Sequence, residues 1–146
     1  MHKKLWLYGQ PFSGKTTFAV GSPDHYVLST DGNAQYSTNS YKVISDEVTM
    51  IGRIKNRKYA WEVLKEEIEK LEVGTDYKTI VVDLVEDTYE MCRLYMYHKL
   101  GITHESDDSF RAWDKVRTEF LSTIRRLMNL PYDIVLLSHE DTSKDI

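Results

Sequence analysis

An octapeptide near the N-terminus combines glycines, a lysine and a hydroxyl residue at the spacing GxxxxGK[ST]. The glycines let the backbone fold around phosphate oxygens, and successive N–H groups then point inward as an anion nest. Lys15 is expected to reach the β- and γ-phosphates, and the Thr16 hydroxyl to ligate Mg²⁺. The pattern therefore predicts a P-loop that binds ATP with magnesium. The residues assigned to nucleotide contact are Gly9, Gln10, Pro11, Phe12, Ser13, Gly14, Lys15, Thr16 and Thr17.

The second motif is an acidic one: Asp83 ends the β-branched run Thr79-Ile80-Val81-Val82. This is the form of a Walker B motif, whose acid holds magnesium directly or through water. A strand-end aspartate can also cap the following helix. The P-loop upstream favours the magnesium role, so we assign the metal to Thr16 and Asp83.

Two carboxylates are candidates for orienting the attacking water or an acceptor: Asp31, after the second predicted strand, and Glu86, close behind Asp83. Strand ends of an open α/β sheet face the ligand crevice, although Asp31 could simply open an Asp-Gly turn. His139 follows the last predicted strand, where a polar side chain can sense the γ-phosphate. The predicted catalytic set is Lys15, Asp31, Asp83 and His139.

The elements that must position these residues alternate between strands and helices. Apolar runs predict strands, periodic apolar positions predict helices, and the polar segment from Ser45 to Lys58 is interpreted as a mobile loop. The predicted strands are Leu5–Tyr8, Tyr26–Ser29, Tyr41–Ile44, Thr79–Asp83 and Ile134–Leu137. The predicted helices are Lys15–Val20, Tyr59 to Gly74, Val85–Leu100 and Ser109–Asn129.

This alternation predicts an α/β fold: one three-layer P-loop NTPase domain over residues 1–146, with a mainly parallel sheet covered on both faces. The polar tail ends only a few residues after the last strand. A doubly wound sheet usually continues further, so we expect a C-terminally truncated fragment of a longer protein.

Composition narrows the function classes. A net charge of −4 with 29% charged residues gives no global field that would draw the chain onto nucleic acid. The single Cys92 excludes an intrachain disulfide and a CxxC site. With no apolar run approaching about 18 residues, we expect no membrane span and a cytoplasmic location, in the host cytoplasm if the chain is phage-encoded.

Four motifs, in order and spacing across nearly the whole chain, resemble the RecA-like phage ATPases of the AAA_24 type. These are shortened RecA or RadA relatives associated with phage single-strand annealing and recombination. The motifs are Gly9–Thr17, Ser29-Thr30-Asp31-Gly32, Ile80-Val81-Val82-Asp83 and Val135-Leu136-Leu137-Ser138-His139-Glu140.

The resemblance implies a RecA-like core in which Lys15 and Thr16 hold triphosphate and magnesium and Asp83 is the Walker B acid. It puts Asp31 at the catalytic carboxylate and His139 at a polar sensor. It also implies a homo-oligomer whose site is completed by a neighbouring subunit. The chain departs from RecA itself by carrying Asp31 in place of a glutamate and by lacking the C-terminal part that holds a main DNA-binding loop.

A basic segment is a candidate site for binding single-stranded DNA. Positive charge beside the aromatic residues Tyr59 and Trp61 would suit single-stranded DNA, although a solvated loop would have the same composition. The expected contacts are Arg53, Lys55, Arg57 and Lys58.

Two other functions remain open at this point. A P-loop kinase would transfer the γ-phosphate to a nucleotide or another small molecule, with Asp31 binding the acceptor. The segment Gly101–Ser109 counts against an arginine-rich lid, because it contains no arginine and three acids. Alternatively, a nucleotide-binding module with little turnover would use bound ATP to govern association with a replication or recombination partner.

Overall fold

A computed structural model of the chain describes residues 3–9, 21, 24–36, 38–102 and 109–139. The helix expected at Lys15–Val20 lies outside these described residues. Among the helices that the structure describes, none combines the length and the hydropathy that a membrane span requires.

The order of elements follows the predicted alternation, with one addition: two short strands lie in the segment Ser45 to Lys58 that was expected to be a loop. The strand Thr79–Asp83 and the helix Val85–Leu100 have the predicted bounds, and the other predicted elements that the structure describes shift by only a few residues at their ends. The described elements are β1 Lys4–Gly9, β2 His25–Ser29, β3 Tyr41–Val43, β4 Glu47–Ile51, β5 Ile54–Lys58, α1 Ala60–Val73, β6 Thr79–Asp83, α2 Val85–Leu100, α3 Ser109–Met128 and β7 Asp133–His139, with a 3-10 turn at Asn33–Tyr36.

Five strands form one parallel sheet in the order β1-β7-β6-β2-β3. All five side chains of β6 are buried, as expected for a strand in the middle of a parallel sheet. Val27, Val81 and Val135 are in register across β2, β6 and β7, and they share a buried apolar cluster with Ala34 and Leu137. The predicted α/β class with a mainly parallel sheet is therefore confirmed.

The described residues divide into two compact units. The first, the sheet unit, contains the described parts of 1–43, 75–86 and 131–146. The second, the helical unit, contains 44–74 and the described parts of 87–130. The helical unit therefore contains α1, α3, β4, β5 and nearly all of α2.

The helical unit is held together by packing between α1 and α3. The fully buried Trp61 stacks on Phe120 with ring centroids 6.1 Å apart. Glu119 accepts hydrogen bonds from Trp61 Nε1 at 3.2 Å and from Lys65 Nζ at 3.0 Å. The apolar positions that predicted α1 are all buried, namely Trp61, Leu64, Ile68 and Leu71.

The segment predicted as a mobile loop is instead an antiparallel hairpin, β4–β5. Gly52 has a φ of 64°, which suits the first position of a two-residue hairpin turn formed with Arg53. Every residue of β4 is exposed, and its alternation of polar and apolar residues is only four residues long, too short to indicate a half-buried strand by itself. Asp46 links the hairpin to α1 by accepting hydrogen bonds from Arg57 and, at 2.7 Å, from the N–H of Ala60.

Candidate nucleotide-binding site

The strand ends that carry the predicted site residues meet at one edge of the parallel sheet. In register, Gly9 pairs with His139, Leu137 pairs with Asp83, and Asp83 pairs with Ser29. β7 thus lies between β1 and β6, so the strand that leads into the P-loop and the strand that ends at Asp83 are about 10 Å apart, two strand spacings. At this edge the P-loop strand and Asp83 therefore lie on opposite sides of β7.

β1 carries the start of the P-loop to this edge. Near its beginning, the N–H of Lys3 donates to Asp133 Oδ1 at 2.8 Å, and Lys4 Nζ donates to the carbonyl of Tyr132 at 2.7 Å. The strand ends at Gly9. The remaining predicted nucleotide contacts lie outside the described residues: Gln10, Pro11, Phe12, Ser13, Gly14, Lys15, Thr16 and Thr17.

Asp83 is 5% exposed at the end of β6. Because neighbouring residues in register share a sheet face, its side chain lies on the same face as Ser29. Thr30 links the chain after β2 to the end of β6 by two hydrogen bonds. Its N–H donates to the carbonyl of Asp83 at 2.7 Å, and its Oγ1 accepts from the N–H of Leu84 at 2.8 Å. The Asp83–Leu84 peptide bond is cis.

Asp31 is exposed and hydrogen-bonded to a buried hydroxyl. Ser29 is fully buried; its Oγ donates to Asp31 Oδ1 at 3.3 Å and accepts from the N–H of Gly32 at 3.1 Å. Gly32 has a φ of 77°, a conformation that glycine adopts readily. Asp31 therefore opens a turn, as one interpretation of the sequence had it, and its carboxylate is bonded to a side chain on the sheet face of Asp83.

Ser29 was not among the predicted site residues. A serine that ends a buried strand two residues before a candidate acid is the local signal that could have indicated it.

Glu86, the other candidate acid, is hydrogen-bonded to a residue on the opposite face of the sheet. Ser138 is 7% exposed, and its Oγ donates to Glu86 Oε2 at 2.8 Å. Side chains alternate between faces along a strand. Ser138 therefore lies on the face opposite Leu137 and Asp83, which favours Asp31 over Glu86 as the acid beside Asp83. Of His139, the structure describes the backbone, which pairs with Gly9.

Within the described part of the chain, no group of three or more His, Cys, Asp or Glu side chains could hold a metal ion. Of the predicted magnesium ligands, Asp83 is described and Thr16 is not. No buried side-chain nitrogen or oxygen in the described residues lacks a hydrogen-bond partner.

The basic segment predicted to contact DNA lies in the hairpin, and part of its charge is neutralised there. Arg57 pairs with Asp46 and lies 4.5 Å above the Tyr59 ring, and Lys58 pairs with Glu66. Among the described residues, Arg53 and Lys55 form no ion pair.

The aromatic faces expected beside these cations are also occupied. Trp61 is fully buried, so the expectation that it offers a face to bases is wrong. Besides Arg57, the Tyr59 ring has His98 as a neighbour at 5.0 Å. The hairpin therefore offers two unpaired cations and no exposed aromatic platform among its described residues.

Comparison with known families agrees with the α/β fold class. The family model AAA_24, described as an AAA domain, matches residues 1–146. No curated protein and no solved structure matches the chain. The parallel α/β sheet is consistent with the P-loop NTPase core of AAA domains. The chain therefore belongs to the AAA_24 family of AAA domains and is a P-loop NTPase.

Proposed function

We propose that the chain binds ATP with magnesium and hydrolyses it as a RecA-like ATPase acting in phage DNA recombination, annealing or replication. Membership in an AAA domain family supports nucleotide binding and hydrolysis in general. The observation that supports the specific site is the shared sheet edge. There β1, β7, β6 and β2 end side by side, each bearing or leading into one predicted site element.

The donor chemistry at this edge fits magnesium. Mg²⁺ prefers oxygen ligands, commonly one or two carboxylates together with substrate phosphates, and Asp83 supplies a buried carboxylate at the strand end. Thr16 would supply a hydroxyl from the P-loop. When bound, the ion neutralises charge on the β- and γ-phosphates.

In this proposal Asp31 orients the water that attacks the γ-phosphorus. As the new P–O bond forms, the bond from the γ-phosphorus to the β–γ bridging oxygen breaks, and the water proton passes to the Asp31 carboxylate. Ser29 holds that carboxylate through its hydroxyl. Lys15 would stabilise charge on the phosphates, and His139 would sense the γ-phosphate from the end of β7.

Single-stranded DNA is the proposed effector. Of the four predicted cations, Arg53 and Lys55 are the better candidates for contact with DNA phosphates, because Arg57 and Lys58 already have acidic partners. An exposed cation without a local partner retains its charge for phosphate neutralisation.

The decisive experiment measures phosphate release from ATP by the 146-residue chain with and without single-stranded DNA, and screens nucleoside monophosphates as acceptors. Magnesium-dependent, DNA-stimulated phosphate release supports the proposal. A phosphorylated acceptor would establish a kinase instead, and nucleotide binding without turnover would establish the module.

Two variants and one control test the proposed roles of Lys15 and Asp31. Lys15→Ala should abolish nucleotide affinity, because the charge that meets the β- and γ-phosphates is gone, whereas the control Lys42→Ala on β3 should leave it unchanged. Asp31→Asn should bind ATP and lose turnover. Unchanged ATP affinity in Lys15→Ala would refute the P-loop assignment.

A further inference from the structure

Among the described residues, the outer edge of β4 is an open strand edge in the helical unit. There β4 pairs with β5 alone in a two-stranded sheet, and all five of its residues are exposed. Val48 is 51% exposed and Met50 is 62% exposed. A two-stranded hairpin is at best marginally stable by itself, and an unpaired edge with apolar side chains is a template for another strand.

The two outer edges of this hairpin differ in charge. β5 carries Lys55, Arg57 and Lys58, the kind of charged side chains that protect an edge from pairing. β4 contains one charged residue, Glu47 at its start, and neither proline nor lysine. Strand addition is therefore favoured on β4 and disfavoured on β5.

The turn fixes which backbone groups of β4 face outward. In a two-residue hairpin the flanking residues, here Ile51 and Ile54, form a hydrogen-bonded pair, and such pairs then alternate with non-hydrogen-bonded ones. Thr49 with Asn56 is again a hydrogen-bonded pair. The N–H and C=O groups of Val48 and Met50 consequently point away from β5, and they are the groups that a new strand would meet.

We propose that β4 pairs with β4 of a second copy of this chain, antiparallel and across a two-fold axis, to form a four-stranded sheet. The outward groups are best matched when Thr49 lies opposite the partner's Thr49. In that register Val48 and the partner's Met50 form a hydrogen-bonded pair, as do Met50 and the partner's Val48. The same pairs bring exposed apolar side chains together on one face.

Charge favours a second copy as the occupant. In this register Glu47 lies opposite the partner's Ile51, so no like charges face each other. The cations of each β5 lie on the two outer edges of the four-stranded sheet, separated by both β4 strands. Arg53 and Lys55 therefore remain available at the outside of the dimer.

Disulfide trapping tests the register. Thr49→Cys would place two Cys in a non-hydrogen-bonded pair with Cα atoms about 4.5 Å apart, within the range of a disulfide. Mild oxidation should convert most of this variant to a covalent dimer, as seen by non-reducing electrophoresis. Ile51→Cys is the matched control: it is also exposed, but in this register the two Cys would be about 13 Å apart.

Cys92 does not interfere with the trapping, because it is fully buried and its pKa is raised to about 12, chiefly by burial. Efficient cross-linking of Ile51→Cys with none for Thr49→Cys would overturn the proposed register.

Sedimentation of the uncross-linked chain provides a second measurement. Met50→Pro removes an outward N–H without removing a bond to β5, since proline is tolerated on an edge. It should weaken dimerisation at least about tenfold, whereas Met50→Ala keeps the N–H and should have a smaller effect. A wild-type chain that stays monomeric would overturn the proposal, as would a Met50→Pro dimer of unchanged affinity.

Single-stranded DNA is the competing occupant of this edge. It predicts that a fluorescent oligothymidylate loses affinity for Met50→Pro while the wild-type chain remains a monomer. That result would also overturn self-pairing.

Discussion

Ser29 is the residue whose role at the sheet edge is most directly testable. Its buried hydroxyl is the described link between the Asp31 carboxylate and the end of β2. Ser29→Ala should lower the turnover number for ATP by about tenfold, because the acid that orients water loses a charge-assisted hydrogen bond. Affinity for ATP should be unchanged. Steady-state hydrolysis together with equilibrium binding of a fluorescent ATP analogue separates the two effects.

The matched control is Ser45→Ala, at an exposed position outside the sheet unit, which should leave both quantities unchanged. Ser29→Ala also leaves the N–H of Gly32 without its acceptor, so a loss of stability of about 1 kcal/mol is expected. Equal losses of affinity and turnover would mean that Ser29 supports the fold of the site rather than Asp31.

Cys92 provides a prediction that is independent of nucleotide. Its side chain is buried in α2, and its Sγ lies 3.7 Å from the carbonyl of Val116. Burial, with a smaller effect of Glu119, raises the pKa of the thiol to about 12. Because the thiolate is the reactive form, the native chain should resist alkylation by iodoacetamide at neutral pH. Mass spectrometry should find one modified thiol only after denaturation, and rapid native labelling would contradict this packing.

At the residue scale, the sequence alone could place residues that lie at the end of a strand or just after it. Asp83 and Asp31 were expected at the sheet edge because each follows an apolar run, and both lie there. Ser29 and Ser138 were not predicted as site residues, since a serine hydroxyl has no distinctive spacing and its partner depends on which strands are neighbours. The preference for Asp31 over Glu86 required the alternation of faces on paired strands.

At the scale of elements, Asp46 joins the β4–β5 hairpin to α1. It accepts hydrogen bonds from Arg57 in β5 and from the N–H of Ala60 at the first turn of α1. Asp46→Ala removes both interactions. We expect it to lower the free energy of unfolding by about 1 kcal/mol, the usual cost of losing a helix cap, in a urea titration followed by circular dichroism. Asp76→Ala, an exposed acid in the loop before β6, is the control.

The contribution of Asp46 should depend on pH. Burial raises the pKa of Asp46, but hydrogen bonds from Arg57 and from the N–H of Ala60, with the charge of Arg57, outweigh burial and lower it below 3.8. A carboxyl with a lowered pKa stabilises the fold above its unfolded value and loses that effect as pH falls through the folded one. The stability gap between wild type and Asp46→Asn should therefore be constant near pH 7 and close below about pH 4. A gap that persists in acid would argue against the ion pair.

The hairpin also shows why one element was missed. Neither strand has a buried face. The alternation in β4 spans only Glu47 to Met50, β5 has none, and the cations from Arg53 to Lys58 indicated a solvated loop. The remaining signal was local: Ile51-Gly52-Arg53-Ile54, a glycine-containing two-residue turn between β-branched residues. β6 and α2 could be predicted to the residue, because a continuous buried run and a helix ended by Gly101 are both strong patterns.

At the scale of the whole chain, the strand order could not be derived from local pattern. β1 pairs with β7 although their first partners, Lys4 and Ile134, are 130 residues apart, and β7 enters the sheet between β1 and β6. This insertion brings His139 beside Gly9 and separates the P-loop strand from Asp83. Local propensities set each strand, but register between distant strands depends on burying the shared cluster around Val81 and Val135.

Nucleotide binding should appear as a change in the stability of the molecule. A ligand that binds only the folded chain stabilises it by about 2.7 kcal/mol at 100 times its Kd. For a chain of this length the melting temperature should then rise by roughly 5 to 10 °C. Differential scanning fluorimetry with ATP and magnesium measures this rise. Omitting magnesium should reduce it, because Asp83 and Thr16 are expected to act through the ion.

The same titration with Lys15→Ala should show no rise, and Lys42→Ala should behave like the wild-type chain. Asp83→Asn should keep the fold and lose the magnesium-dependent part of the shift, because the neutral amide removes the negative charge proposed to hold the ion. A full shift in Asp83→Asn would separate ATP binding from Asp83, and the magnesium site would then have to be sought among other oxygen ligands at the same edge.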